Sequence, residues 1–335
     1  MIAVSRLAGQ SGRWQETLRE AVTDPAELVE ALGLDPALHG PALEAAARFP
    51  LKVPRPFLAR IAHGDAGDPL LRQVLPAAPE LVDAPGYVSD PVGDLTSAAV
   101  PGLLHKYDGR ALLIATGSCA IHCRYCFRRE FPYGEQQASA GRFRDALEQI
   151  AADESITEVI LSGGDPLSLS NARLAELGTQ LESIPHLRRL RIHSRHPVVL
   201  PARVDEGLLD WLGGLGLDTI LVIHANHAAE IDGDVEAALA ALAGRRVLLL
   251  NQSVLLRGVN DSLEALAALS ERLAGVGVLP YYLHMLDRVR GAAGFEVPEA
   301  RARELIEALR ARLPGYLLPR LVREVPGERS KTPVA

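Results

Sequence analysis

Three cysteines, Cys119, Cys123 and Cys126, are the only cysteines of the 335-residue chain, and they stand together in one short run, C-A-I-H-C-R-Y-C. Thiolates at such close spacing are typical ligands of iron–sulfur clusters. Three of them cannot complete a four-sulfur set, so a [4Fe–4S] cluster held here keeps one iron free for another molecule. The run therefore predicts a metal centre with an open coordination position.

Three other interpretations of the cysteine run stay open. Structural zinc needs four Cys or His ligands, and His122 lies inside the loop as a fourth candidate. A disulfide would leave one thiol unpaired, and the start of the chain lacks a signal-type apolar core, which favours a reducing compartment. Burial of all three as structural cysteines is the plainest alternative.

The C-x3-C-x2-C spacing resembles the signature of the radical S-adenosylmethionine (radical SAM) superfamily. That resemblance implies that SAM chelates the free iron through its amino and carboxylate groups. It also implies that the reduced cluster cleaves SAM to a 5'-deoxyadenosyl radical.

Short β-branched runs alternate with longer amphipathic stretches from residue 111 onward, which is the pattern of strand–helix units around a parallel sheet. The predicted strands are residues 111–115, 157–161, 189–193, 219–223, 247–250 and 279–284. Helical periods follow at residues 172–182, 228–243, 262–274 and 298–312. These units predict an α/β fold, a partial (β/α)6 barrel.

Polar motifs follow each predicted strand, where the chemistry of such barrels gathers. They are the cysteine run, S-G-G-D-P at 162–166, H-S-R at 193–195, H-A-N-H at 224–227, N-Q-S at 251–253 and H-M-L-D at 284–287. Because parallel strands end at one edge of a sheet, we expect these six loops to surround one site.

The radical SAM resemblance also implies which loops contact SAM. Gly163, Gly164 and Asp165 match the superfamily element that meets the amino group of the methionine part, and the glycines let backbone approach a ligand closely. Ser194 and Arg195 are expected at the carboxylate or ribose. His224 is expected at the adenosyl group, although such a histidine is as often a satisfied core residue.

A wider set of motifs resembles the lysine 2,3-aminomutase family. The motifs are the cysteine run with its F-R-R extension, H-K-Y-x-x-R at 105–110, S-G-G-D-P, H-S-R-x-P-V-V-L-P-A-R, N-Q-S-V-L-L-R, P-Y-Y-L-H-x-L-D and the terminal S-K-T-P. The resemblance extends from about residue 53 to the end. The runs at 69–75 and 101–107 resemble its short bacterial branch, which implies (R)-β-lysine synthesis for modification of elongation factor P.

This family resemblance implies a pyridoxal 5'-phosphate (PLP) site. Lys331 matches the lysine that forms the internal Schiff base with PLP, and such a lysine must be partly deprotonated to attack the aldehyde. Lys106, Tyr107 and Arg110 match the phosphate-binding stretch. The family usually has an arginine where this chain has Lys106, which supplies a point charge without the bidentate fork.

The same resemblance implies three contacts to the substrate lysine. Arg128 matches the residue that holds the α-carboxylate, a contact that suits guanidinium geometry. Asp287 and Glu324 match the carboxylates that receive the ε-ammonium group, and Glu324 replaces the usual aspartate with a longer side chain. The chain lacks the cysteines of the structural zinc site in longer aminomutases, so we expect no zinc and a simpler homo-oligomer.

The function implied is conversion of L-α-lysine to (R)-β-lysine, an isomerase reaction that uses a [4Fe–4S] cluster, SAM and PLP. Implied partners are a reducing electron donor of flavodoxin or ferredoxin type, elongation factor P and its lysyl ligase. Two other classes remain, a radical SAM enzyme without PLP and a noncatalytic partner-binding barrel. Lys331 together with Asp287 favours the aminomutase.

Composition indicates an ordinary globular chain, with 48% hydrophobic and 23% charged residues. The net charge of -7 gives no electrostatic footprint for nucleic acid or an acidic membrane surface, and a cytoplasmic location is expected. We expect three parts: a helical region at 1–100 with helices near 14–21, 25–32 and 41–47, the barrel at 101–313, and a lid segment at 314–335 that carries Lys331.

Overall fold

Strands across the chain pair into one mainly parallel sheet. The computed structural model describes residues 13–136 and 142–335. Within them the strands are β1 (Ala98–Val100), β2 (Leu103–Tyr107), β3 (Arg110–Thr116), β4 (Glu158–Gly163), β5 (Arg189–Ser194), β6 (Asp218–Ile223), β7 (Leu248–Val254), β8 (Leu279–His284), β9 (Arg320–Arg323) and β10 (Thr332–Pro333). They follow one another in chain order; β3 to β9 are parallel, and β1, β2 and β10 pair antiparallel at the two edges.

The six strands that the sequence predicted are β3 to β8, and the partial barrel is confirmed. Side chains in β4 and β5 alternate between half-buried and buried positions. Glu158, Ile160 and Ser162 of β4 face a central cavity, whereas Val159 and Leu161 pack outward into the core under the helices. A period of two along each strand therefore separates the cavity wall from the core.

Helices cover the outer face of this sheet. In the barrel they are α7 (Arg142–Ala152), α8 (Asn171–Glu182), α9 (His196–Val199), α10 (Glu206–Gly214), α11 (Gly233–Ala243), α12 (Leu263–Gly275) and α13 (Glu299–Arg312). The N-terminal region contains α1 (Arg13–Arg19), α2 (Pro25–Ala31), α3 (His39–Arg48), α4 (Arg55–Leu58) and α5 (Pro69–Arg72), and a short α6 (Tyr133–Gln136) precedes the barrel helices. Leu174, Leu177 and Leu181 of α8 pack on the sheet core. Full burial of a leucine contributes about 1.5–3 kcal/mol.

One predicted helix, residues 228–243, is wrong at its start. The structure has a single 3-10 turn at Ala228–Glu230, and α11 begins only at Gly233. Asp232 ends the turn and caps the helix, because its side chain accepts a hydrogen bond from the backbone N–H of Val235. Glu230 holds the preceding loop through the backbone N–H groups of Asn226 and His227.

The N-terminal region packs directly on the loop that carries the cysteines. The helices predicted near 14–21, 25–32 and 41–47 are α1, α2 and α3; residues 1–12 of the predicted 1–100 region lie outside the described residues. Leu28, Phe57 and Leu70 of this region form one buried cluster with Ala120 and Ile121 of the cysteine loop. Folding of these N-terminal helices is thus tied to the loop by apolar burial.

The C-terminal segment, expected as a lid, adds two strands to the sheet. β9 lies parallel to β8, and β10 pairs antiparallel with β9 so that Thr332 faces Arg323. Lys331 directly precedes β10, and its side chain contacts Glu324, which directly follows β9. The pairing thus fixes the position of Lys331 through backbone hydrogen bonds. In the described residues no helix combines the length and the apolar character that crossing a bilayer would require.

Candidate active site

A cavity of about 1190 Å³ runs between the sheet and the loops at the carboxyl ends of its strands. Every site residue that the sequence proposed lies along its wall. They are Cys119, Cys123, Cys126, Gly163, Gly164, Asp165, Ser194, Arg195, His224, Lys106, Tyr107, Arg110, Arg128, Asp287, Glu324 and Lys331. The structure therefore brings together residues as far apart in the chain as Lys106 and Lys331.

The cysteine loop follows β3 and is held by backbone and side-chain contacts from the N-terminal region. Lys52 Nζ donates a hydrogen bond to the carbonyl of Cys119 at 2.9 Å, and the N–H of His122 donates to the carbonyl of Lys52 at 3.0 Å. Arg124, fully buried, pairs with Glu80 at 2.6 Å. The loop conformation therefore depends on residues far upstream.

The three sulfur atoms suit a cluster chemically. Thiolate is the preferred ligand of iron–sulfur clusters, and Arg195 Nη1 already donates to Cys123 Sγ at 2.7 Å. Burial raises the pKa of Cys119 and raises that of Cys126 to about 11, with the neighbouring thiols adding to both shifts. Binding of iron would have to displace these protons. Among the described residues no group of three His, Cys, Asp or Glu side chains is arranged to hold a single metal ion.

The two glycines after β4 are required by the cysteine loop itself. A Cβ on Gly164 would lie 2.5 Å from the carbonyl oxygen of Ser118, and one on Gly163 would lie 2.6 Å from that of Thr116. Gly163 also has φ of +119°. The N–H of Gly164 donates to Thr116 at 2.7 Å. The glycines therefore let two backbones pack together, in addition to any approach to a ligand.

Asp165 and Ser194, expected at SAM, are bound to each other. Ser194 Oγ donates to Asp165 at 2.8 Å, and the carboxylate also accepts from the N–H of Leu167 and of Arg195. Burial opposes the charge, but His196 and these hydrogen bonds hold the pKa of Asp165 at about 2. The pair thus fixes the ends of β4 and β5 against each other. By contrast, Arg195 Nε is buried without a hydrogen-bond partner among the described residues, which leaves one donor for a ligand.

Three histidines line the middle of the cavity, of which the sequence proposed only His224. Its Nε2 lies 3.4 Å from Nδ1 of His193, and both rings are near His284. Burial lowers the pKa of His224 to about 4 and lowers the pKa of His193 and His284 well below the usual value. All three are therefore neutral near pH 7. His284 Nε2 and Gln252 Oε1 are buried without partners among the described residues, which fits hydrogen bonds to a cofactor.

Alternating charges connect the proposed substrate and cofactor residues. Lys331 Nζ donates to Glu324 at 2.6 Å, and Lys106 bridges Glu324 at 2.9 Å and Asp94 at 2.5 Å. Asp94 also accepts from Arg128 Nε at 2.7 Å. We call this series, Arg128, Asp94, Lys106, Glu324 and Lys331, the charge chain.

Burial and charge act differently on the carboxylates beside Lys331. Burial disfavours ionised Glu324, but Lys331 and Lys106 outweigh it, so its pKa falls to about 2. For Asp287, burial and the negative charge of Glu324 outweigh the attraction of Lys331 and Lys106, so its pKa rises to about 7. Glu324 is thus ionised at neutral pH, whereas Asp287 titrates near pH 7.

Tyr107 and Arg110 lie beside the start of β3, where burial and the nearby negative charge of Glu324 raise the pKa of Tyr107. They face each other across a two-residue Asp108-Gly109 turn, with the Arg110 guanidinium 4.6 Å from the Tyr107 ring centre. Arg191 of β5 faces the same cavity, and its Nε is buried without a partner among the described residues. Arg110 and Arg191 thus add cationic groups to the cavity wall, and these suit a phosphate.

Several residues in or beside the site were not predicted individually, although the motifs of His193, Gln252 and His284 were. They are Lys52, Gln73, Asp94, Arg191, His193, Gln252 and His284. One available signal concerned lysine. The chain has only three lysines, Lys52, Lys106 and Lys331, against many arginines. Each of the three donates a hydrogen bond at this cavity. In a chain with so few lysines, an individual lysine is a better functional candidate than usual.

The sequence model of the Radical SAM superfamily matches residues 113–270. With three cysteines on the loop after β3 of a partial barrel, this defines a radical SAM protein, a class that binds a [4Fe–4S] cluster and SAM.

Curated relatives carry the assignment further. The chain is 50% identical over 322 residues to L-lysine 2,3-aminomutase of Escherichia coli K12, covering 96% of this chain and 94% of that one. It is 45% identical to the Haemophilus influenzae Rd protein of the same name, over 95% and 94%. The Clostridium subterminale enzyme of that name is 38% identical, over 83% and 67%. The chain belongs to the lysine 2,3-aminomutase family, whose members are isomerases.

Replacement of Gly164 by Ala should destabilise the protein, because the new Cβ meets backbone of the cysteine loop that has no rotamer freedom. Overpacking of this kind costs about 1–3 kcal/mol, so we expect a lower thermal unfolding midpoint of the apoprotein by calorimetry. Gly214→Ala is the matched control, since nothing lies within 4 Å of its Cβ position. Equal midpoints for the two variants would contradict this packing role.

Replacement of Asp94 by Asn should leave buried Arg128 and Lys106 facing a neutral amide. Removing one partner of a buried ion pair costs about 3–5 kcal/mol. Burial opposes ionisation of Asp94, but the two cations hold its pKa below the usual value. Its contribution is therefore complete above about pH 4, the unfolded pKa, and is lost as the pH falls through the folded pKa.

Urea unfolding of the unmodified apoprotein and of the Asp94→Asn apoprotein, at pH 7 and at acid pH, measures the difference in their free energies of unfolding. Asp145→Asn, on the exposed face of α7, is the control. A stability difference that does not shrink in acid would argue against the ionic role of Asp94.

Proposed function

We propose that this chain is a PLP-dependent radical SAM aminomutase that converts L-α-lysine to (R)-β-lysine. The observation that carries the proposal is that Lys331, paired with Glu324 at 2.6 Å, lines the same cavity as the three cysteines. A radical SAM enzyme without PLP has no need of a lysine held there by strand pairing.

The residues fit the three groups that the reaction requires. Cys119, Cys123 and Cys126 would hold the cluster, and the unpaired Arg195 Nε would bind SAM. Lys331 would hold PLP, with Lys106 and Arg110 near its phosphate. When bound, these groups supply a carbon-centred radical for hydrogen abstraction and a conjugated ring system that stabilises the resulting substrate radical.

Two oppositely charged ends of the cavity wall match the substrate. Arg128, buried against Asp94 and stacked 4.8 Å from the Phe127 ring centre, presents a planar guanidinium suited to the α-carboxylate. Asp287 and Glu324 would receive the ε-ammonium group. Glu324 is already bound to two lysines, so the incoming ammonium would have to compete with them or rely on Asp287.

Burial of the site suits radical chemistry. Asp94, Ser194, Arg195 and His284 are each at most 5% exposed. A rigid, water-poor wall fixes the reacting groups relative to one another and limits quenching of the radical by solvent. The main task of the protein is therefore to position and enclose the reactants.

The proposed use of the product is β-lysylation of elongation factor P. This part rests on the likeness of residues 69–75 and 101–107 to the short bacterial branch of the family. It requires a lysyl ligase that consumes the free β-amino acid, and an electron donor of flavodoxin or ferredoxin type that reduces the cluster.

Anaerobic reconstitution with iron, sulfide, PLP, SAM and dithionite tests the proposal. We expect chromatography to detect β-lysine from α-lysine with the unmodified protein. Lys331→Ala should form at least about a thousandfold less β-lysine, because the residue that holds PLP is gone, while iron content stays unchanged. Glu328→Gln, exposed in the same segment, is the control.

Full turnover by Lys331→Ala would refute the PLP role. No β-lysine from unmodified protein that binds both cluster and SAM would refute the aminomutase itself. Mass analysis of hydrolysed elongation factor P, after incubation with product and ligase, tests the proposed use separately.

Asp287 should give lysine binding a characteristic pH dependence. Its pKa of about 7 means that it is largely protonated at pH 6 and ionised at pH 8. Since the ionised form attracts the ε-ammonium group, the KM for lysine should fall by roughly tenfold across this range, the limit for one titrating group. Asp287→Asn should show a higher KM without that dependence. An unchanged pH profile in the variant would assign the titration to another group.

A further inference from the structure

Two positively charged side chains lie against the cysteine loop. The proposed binding of substrate and PLP does not account for both of them. Lys52 Nζ lies 2.9 Å from the carbonyl oxygen of Cys119. Arg195 Nη1 lies 2.7 Å from Cys123 Sγ. Two of the three cysteines thus have a cationic hydrogen-bond donor at close range.

Arg195 is held in this position by a residue of the N-terminal region. Its Nη2 donates to Gln73 Oε1 at 2.6 Å and to Glu230 at 2.9 Å. Gln73 Nε2 donates in turn to Glu230 at 3.1 Å, and Gln73 is completely buried. The guanidinium therefore has little freedom to leave Cys123.

Gln73 also organises the neutral groups around it. Its Oε1 accepts a second hydrogen bond from Asn226 at 2.9 Å, and Asn226 donates to the Tyr125 hydroxyl at 2.6 Å. The carbonyl of Gln73 accepts from the N–H of Arg124, inside the cysteine loop, at 2.9 Å. Through its side chain and its backbone carbonyl, Gln73 thus connects α5, the cysteine loop and the loop after β6.

Charge at this position affects electron transfer to a cluster. A [4Fe–4S] cluster on three thiolates becomes one unit more negative when it accepts an electron. Hydrogen bonds to the sulfurs, nearby charge and solvent exposure set its reduction potential. Cations a few ångströms away in a buried site stabilise the reduced form more than they would in water.

We propose that Lys52 and Arg195, the latter positioned by Gln73, raise the reduction potential of the cluster held by Cys119, Cys123 and Cys126. The N-terminal region thereby takes part in the redox chemistry of the site, since it supplies Lys52 and Gln73. This inference rests on cluster binding alone and is independent of PLP and lysine.

An EPR-monitored redox titration of anaerobically reconstituted protein, with dithionite as the one-electron donor, tests the inference. Lys52→Met and Gln73→Met should have midpoint potentials more negative than the unmodified protein. Lys52→Arg, which keeps the charge, should remain at the original midpoint. Arg48→Met removes a positive charge from the exposed end of α3 and should also leave the midpoint unchanged.

Iron and sulfide are measured for every variant, because a structural role predicts a different result. Lower cluster content with an unchanged midpoint in the clusters that remain would overturn the inference. Equal midpoints for Lys52→Met, Gln73→Met and Arg48→Met would also overturn it. If Lys52→Met binds no iron, Lys52→Gln and Gln73→Met decide the outcome by the same criterion.

Discussion

The ion pair between Lys331 and Glu324 is the interaction on which the arrangement of the cavity depends. It joins the last strand of the sheet to Lys106, and through Asp94 to Arg128 beside the cysteine loop. Because all five side chains are at least largely buried, each charge relies on its neighbours for compensation. The charge chain therefore connects residues proposed for PLP with residues proposed for the substrate, and Lys106 is its middle member.

Two segments outside the repeated strand–helix units of the barrel complete the site. The C-terminal strands place Lys331 by backbone pairing, and the N-terminal region braces the cysteine loop through Lys52, Gln73 and Glu80. The radical SAM match covers only residues 113–270 and leaves both segments outside it. Most of the residues proposed for PLP and for the substrate thus lie outside the part of the chain that matches the superfamily.

Much of the architecture was readable from the sequence because the inner strands are apolar, β-branched and followed by polar motifs. Those six strands and the loops after them came out correctly. The edge strands β1 and β10 were not predicted, because they are only three and two residues long and β10 contains Pro333. The break before α11 was missed because an aspartate inside an apolar period also serves as a helix cap.

The site residues divide in the same way. Cys119 is recognisable from the local spacing of the cysteines, and Lys331 from the likeness to a known family. Asp94 and Gln73 carry no local signal: Asp94 meets Arg128 across 34 residues, and Gln73 meets Glu230 across 157. The roles of Gly164 and Asp165 were only partly foreseen, because their contacts are with neighbouring loops of the chain. Such contacts follow from the folded arrangement and not from sequence spacing.

Covalent trapping of PLP is the sharpest test of the role assigned to Lys331, because the chain offers only three lysines. Protein incubated with PLP is reduced with borohydride, digested and mapped by mass spectrometry. We expect the pyridoxyl group on Lys331, with Lys52 and Lys106 unmodified. A label on Lys106 or Lys52, or no label on Lys331 in protein that binds the cluster, would contradict that role.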